Sequence, residues 1–168
     1  MPRISIALAL VLALACSRPA EQPAATNTAA PTGTPHGMTL SSSAFPNNGA
    51  IPAKYTCDGA NVSPPLTIAA VPPGTKSLAL TVDDPDAPGG SFTHWLTWNI
   101  PPSTTTIGEG QHAGTEEPNG FGKPGYGGPC PPSGLHHYVF TLYAMADAAP
   151  PAKGKVLAQT QLIGTYTK

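Results

Sequence analysis

The sequence predicts an all-β domain, a sandwich or barrel of short strands, and three observations carry the prediction. Among its 168 residues are 22 prolines and 18 glycines, too many for long helices, and they keep no collagen period. Between turn-rich stretches run short segments with the two-residue alternation of strands. The length suits one domain whose core is stable without many crosslinks. Charge removes one class of partner at the outset. Charged residues are 10% of the chain, the formal net charge is -1 and the eight lysines and arginines are scattered, so no positive face suited to nucleic acid is present.

The first sixteen residues read as an address. Arg3 supplies a positive start, residues 4–15 form an apolar run, and Ala13-Leu14-Ala15-Cys16 closes it with small residues. The run is too short to span a bilayer comfortably. A cysteine straight after small residues looks like a bacterial lipoprotein signal, in which Cys16 carries diacylglycerol and becomes the mature N-terminus. Ala13 stands where a leucine is usual, and an ordinary secretory signal is the competing reading. The expectation is an exported protein, held to a membrane by lipid and facing the periplasm or cell surface. Ser17 is not an acidic retention signal, which points to the outer membrane where the cell has one. Residues 17–37 are rich in Ala, Pro and Thr and nearly free of large apolar side chains, so they predict a flexible tether. The folded domain is expected at 38–168.

Within that domain, 66–69 predicts a short strand. Residues 77–82 alternate, with Leu78, Leu80 and Val82 on one side, and this strand runs into an aspartate segment. Residues 93–100 place His94, Leu96, Trp98 and Ile100 on one face and Trp95 on the other, until Pro101-Pro102 stops the strand. The segment 120–134 holds six glycines and the prolines Pro124, Pro129, Pro131 and Pro132, an open backbone with fixed φ angles that can bring N–H groups close to a ligand. Residues 136–145 are apolar on both faces, as expected of a central, doubly covered strand. A last strand is expected at 162–166.

Three of these strand ends carry polar groups. Asp84 and Asp86 follow one strand, His94 opens a second, and His136 with Tyr138 opens a third. If the ends meet, two carboxylates, two imidazoles, a phenol and glycine N–H groups surround one concave site. Imidazole, phenol and backbone donors suit phosphate oxygens, while a carboxylate accepts from an ammonium group or orients a histidine.

These segments resemble the phosphatidylethanolamine-binding protein family, and its bacterial Raf kinase inhibitor-like branch in particular. The matching pieces are Tyr55-Thr56-Cys57-Asp58-Gly59 with Asn61-Val62-Ser63-Pro64-Pro65-Leu66, then Asp84-Pro85-Asp86-Ala87-Pro88, then His94-Trp95. Gly125 to Gly134, His136-His137-Tyr138-Val139-Phe140 and Leu162-Ile163-Gly164-Thr165-Tyr166 follow in the family's order. The resemblance implies a two-sheet β sandwich with few short helices. It also implies an anion pocket for phosphate, phosphorylethanolamine or similar head groups, formed by Asp84, Asp86, His94, Gly128, Pro132, His136 and Tyr138. It further implies a cis bond at Asp84-Pro85, an X-Pro bond being where cis is least costly. The chain departs from the pattern at Ile68, where a Trp is common, and at His137, where an Arg is. At 148–156 it is short where relatives carry a helix, so one pocket wall is expected to differ.

Each motif has a plainer reading. Asp-Pro-Asp is a good turn in any protein, and His94 on an apolar face can be a hydrogen-bonded core histidine. His137 points opposite to His136 on a strand, so at most one of the two faces the ligand, and motif position selects His136. His36 and His112 have no role. Two Asp and two His could hold zinc, but their spacing matches no compact ligand motif and the family implies none, so no metal or cofactor is expected. Ser91 lies near His94 without a nucleophile elbow. The expected function is therefore ligand binding without catalysis. The alternatives are a protein modulator that inhibits a protease or kinase through loop residues near Phe121 or Tyr126, and a phosphoester or ester hydrolase. With Cys16 lipidated, Cys57 and Cys130 remain as an even pair in an oxidising compartment, which predicts a disulfide rather than two buried thiols.

Overall fold

The computed structural model of the protein describes residues 37–168. The expected signal at 1–16 with its Cys16, all of the expected tether but Gly37, and His36 lie outside the described residues. The described residues form nine strands and one 3₁₀ turn, Ala53–Tyr55. The strands are β1 (Thr39–Ser41), β2 (Gly49–Ala50), β3 (Leu66–Ala69), β4 (Ser77–Asp84), β5 (Phe92–Ile100), β6 (Thr106–Ile107), β7 (Thr115–Glu116), β8 (Leu135–Met145) and β9 (Val156–Thr167). They make a three-stranded sheet in the order β1-β3-β6 and a six-stranded sheet in the order β2-β9-β8-β4-β5-β7. No helix among the described residues is long and apolar enough to cross a membrane.

The core lies between the two sheets. Leu40, Leu66, Ile68 and Ile107 from the small sheet meet Leu78, Leu80 and Val82 of β4 and Tyr138, Phe140 and Leu142 of β8. Those two strands follow the alternation in the sequence, because side chains two apart share a face. β8 is central, paired to β4 on one side and β9 on the other. Its outer face is less covered than expected: His137 is exposed, and Val139 and Tyr143 are half-buried.

β5 departs from its expected faces. Trp95 pairs with Val82, Thr97 with Leu80 and Ile100 with Leu78, so Trp95, Thr97 and Ile100 point into the core. Leu96 and Trp98 are half-buried, not core. Two register slips cause this, one at His94 and one near Asn99, whose φ is +56°. Each extra residue shifts the alternation by one and turns the following side chains to the other face.

Two further expectations are corrected. The Asp84-Pro85 bond is trans, and no peptide bond among the described residues is cis. The chain reverses there through an Asx turn instead, with Asp84 Oδ1 accepting the Asp86 N–H at 2.9 Å. The last strand begins at Val156 rather than at 162, its first half pairing with β8 while Val156, Leu157, Gln159 and Gln161 stay exposed. With so little of it buried, that half carries no apolar alternation. Before it, Pro150, Pro151 and Ala152 lie in turns over the outer face of the large sheet, beside Thr81, Leu96 and Tyr143.

Candidate functional site

The turn after β4, the bulge in β5 and the start of β8 come together at one end of the large sheet. Four of the seven expected site residues, Asp84, His94, Pro132 and His136, line one cavity of about 180 Å³. Pro88, Phe92, Phe121 and Pro131 complete most of its wall. Segment 148–156 supplies none of that wall; its turns lie on the outer face of the sheet.

Both cavity histidines are held by their Nδ1 atoms. His136 Nδ1–H donates to Asp84 Oδ2 at 2.8 Å, and His94 Nδ1–H donates to the Gly127 carbonyl at 2.7 Å. A carboxylate and a carbonyl can only accept, so each ring carries its proton on Nδ1 and leaves Nε2 as the atom available to a ligand. Each Asp84 oxygen has a partner, Oδ2 the His136 ring and Oδ1 the Asp86 N–H. A buried carboxylate needs such partners. It orients the His136 ring.

Tyr138 lies beneath this pair, fully buried, its ring edge-on to His94 with centroids 5.1 Å apart. Its hydroxyl meets no hydrogen-bond partner among the described residues. Burial, reinforced by the Asp84 charge, pushes the phenol well above its ordinary value and keeps its proton on. His94 is shifted the other way. Burial holds it below the usual histidine value, partly offset by the Gly127 hydrogen bond and the Asp84 charge.

The remaining two residues lie apart from the cavity. Asp86 is exposed and pairs with His137, accepting from its ring Nδ1–H at 2.7 Å and from its backbone N–H at 2.8 Å. His137 lowers the Asp86 carboxyl, first through the ring contact and then through the backbone donor. The aspartates thus serve one histidine each, on the two faces of β8. Gly128 lines an adjoining groove, and its N–H donates to Asn61 Oδ1 at 2.7 Å. A Cβ at Gly128 would lie 2.6 Å from that same oxygen and run into the Tyr55 carbonyl, so close backbone approach requires glycine here.

The glycine-rich segment is fastened at three levels. Gly120 N–H donates to the Thr93 carbonyl and Gly127 N–H to the His94 carbonyl, so the segment pairs along the edge of β5. Asn119 holds it from within: Nδ2 donates to the Gly125 carbonyl, and Oδ1 accepts from the Phe121 and Lys123 N–H groups. Cys57 and Cys130 are disulfide-bonded, with Cα atoms 5.4 Å apart, and tie its far end to the segment after the 3₁₀ turn. Sequence reasoning missed Asn119 and Phe92. A lone Asn before Gly-Phe-Gly resembles any turn residue, and only the fold shows that it is buried.

Comparison with known proteins identifies the family and the fold. The family model described as phosphatidylethanolamine-binding protein matches residues 41–167. A UPF0098 protein of Methanothermobacter thermautotrophicus is 45% identical over 150 residues, covering 78% of this chain and 99% of the relative. Another from Pyrococcus abyssi is 50% identical over 154 residues, covering 78% and 86%. Among solved structures, a putative phosphatidylethanolamine-binding protein homologue of Chlamydia trachomatis superposes with a TM-score of 0.73 at 35% identity, covering 79% of this chain and 98% of its own. E. coli YbcL, described as a new member of the mammalian PEBP family, gives 0.72 at 30% identity, covering 78% and 98%. The chain belongs to the phosphatidylethanolamine-binding protein family.

Proposed function

We propose that this protein binds a small phosphorylated anion, free phosphate or a head group such as phosphorylethanolamine, between His94 and His136. One observation carries the reading: two histidines line one small cavity, each fixed by its Nδ1 so that Nε2 is left for a ligand. Protonated, each ring donates Nε2–H to an anionic oxygen, the stronger kind of hydrogen bond. Tyr138 packs edge-on against His94 behind the cavity wall and does not line it. Asp84 is occupied in orienting His136. The site is read as binding without turnover, in keeping with the ligand-binding character of the family.

Export and lipid anchoring at Cys16 belong to the same proposal. The apolar leader and its small-residue end support them, and so does an exposed Cys57–Cys130 disulfide, which suits an oxidising compartment. A tether from a membrane surface would keep the cavity near phospholipid head groups. The test is calorimetric titration of the folded domain with phosphate and phosphorylethanolamine. Binding of either, weakened at least tenfold in His136→Ala, is expected. No heat with both ligands, or an unchanged affinity in the variant, rejects the site.

A further inference from the structure

The Cys57–Cys130 bond lies at the surface, with both cysteines exposed. Lys168 sits over it. Its Nζ is 3.5 Å from Cys57 Sγ and 3.8 Å from Cys130 Sγ, and the same ammonium pairs with Asp58 Oδ1 at 3.1 Å. The Tyr166 hydroxyl donates to the other Asp58 oxygen at 2.7 Å, so the carboxylate that holds the ammonium is itself held. Asp58 takes one of the three ammonium protons and leaves two for the sulfurs. Disulfide sulfur is a weak acceptor, so the contact gains little while the bond is closed. It gains more once the bond opens, because a positive charge beside sulfur favours thiolate over thiol.

The bond is also not the only tie between its two segments. Cys57 N–H donates to the Pro129 carbonyl at 3.0 Å, Gly128 N–H to Asn61 Oδ1 at 2.7 Å, and the Tyr126 hydroxyl to the Tyr55 carbonyl at 2.9 Å. Tyr55 is part of the core and Tyr126 packs against it. None of these ties involves sulfur, so the two cysteines stay neighbours when the bond opens, and it can close again in place. Exposed disulfides of this kind are reduced more readily than buried structural ones.

We infer that Cys57–Cys130 is a thiol–disulfide exchange site, opened by a dithiol reductant, with Lys168 stabilising the thiolate that leaves. Cys57, the sulfur nearer the ammonium, is the leaving group. A thiolate of the reductant attacks Cys130 Sγ and forms a mixed disulfide, while the Cys57–Cys130 bond breaks and its electron pair stays on Cys57 Sγ. The reductant's second thiol gives its proton to water, attacks the reductant's own sulfur in the mixed disulfide and releases Cys130 as a thiolate, which takes up a proton. Cys57 ends as a thiolate, Cys130 as a thiol and the dithiol as a disulfide. No group assigned to anion binding between His94 and His136 takes part, so the two readings stand or fall separately.

The experiment uses the folded domain, residues 37–168, which has its own core and no other cysteine. Dithiothreitol is added at pH 7 without denaturant to the natural protein, Lys168→Gln and Lys168→Arg. Free thiols are counted by alkylation and mass, and near-ultraviolet circular dichroism follows the fold. Reduction should run to completion with the native spectrum kept, and oxidised glutathione should close the bond again. Lys168→Gln should slow reduction by about threefold or more, since exchange is faster with a more acidic leaving thiol. Lys168→Arg, which keeps the charge, should stay within about twofold of the natural rate. Four results overturn the inference: a bond that resists dithiothreitol until the protein unfolds, a native spectrum lost on reduction, equal rates in the natural protein and Lys168→Gln, or Lys168→Arg as slow as Lys168→Gln.

Discussion

His94 must be charged to donate Nε2–H, yet burial favours its neutral form. Under the proposed function, anion binding at this residue would therefore take up a proton. The charged groups acting on His94 are Asp84 and Asp83, with the His136 ring across the cavity. Sulfate, whose own charge is constant across the neutral range, isolates the effect. Its affinity should rise as pH falls from 8 to 5, by up to about tenfold per pH unit until His94 is protonated and then levelling. Isothermal titration at several pH values measures this slope, and His94→Gln should reduce it. The ligand-free domain responds in the opposite sense. His94 is depressed from 6.5 in the fold, so the unfolded chain takes up the proton first, and this contribution to stability is lost as pH falls below 6.5. At this scale the sequence was informative about position more than about role. The period of two in β8 separates His136 from His137 unambiguously, but nothing local shows that Asp84 serves one and Asp86 the other. Both pairings depend on a turn whose shape comes from the Asp84 side chain itself.

Among the elements, β4 was legible because its apolar side chains recur every second residue, and β8 because it is apolar on both faces, although its outer face is less covered than that reading expects. β5 was not. Its faces depend on slips at His94 and near Asn99, and a slip is a relation between two strands, invisible in either alone. The first slip is also what lets adjacent His94 and Trp95 both be buried, one at the cavity and one in the core. The glycine-rich segment was legible as a loop with close backbone approach, but the position in most need of glycine, Gly128, serves packing against Tyr55 and Asn61. Gly128→Ala should destabilise the domain by about 1–3 kcal/mol, the range for overpacking, and lower the urea midpoint accordingly. A variant as stable as the natural protein would show that this wall yields more easily than its contacts imply.

For the whole molecule, a two-sheet sandwich followed from turn-rich composition together with motif order, and the match over 41–167 spans nearly the entire described domain. The small sheet's shortest strands and the slender edges β2 and β7 were illegible, since two or three residues carry no periodicity. The disulfide acts at this scale too. Cys57 and Cys130 are 73 residues apart, and closing a loop of that length contributes about 4 kcal/mol in the chain-entropy model. Urea unfolding with and without a reductant should differ by about that amount, and superimposable curves would mean the crosslink leaves the unfolded chain unconstrained. The pairing of Gly120 and Gly127 with the carbonyls of β5 has a consequence for recognition itself. The segment that walls the cavity is thermodynamically part of the sheet, so it cannot lift away without unzipping an edge. A ligand meets a preorganised surface, and little ordering entropy is lost when it arrives.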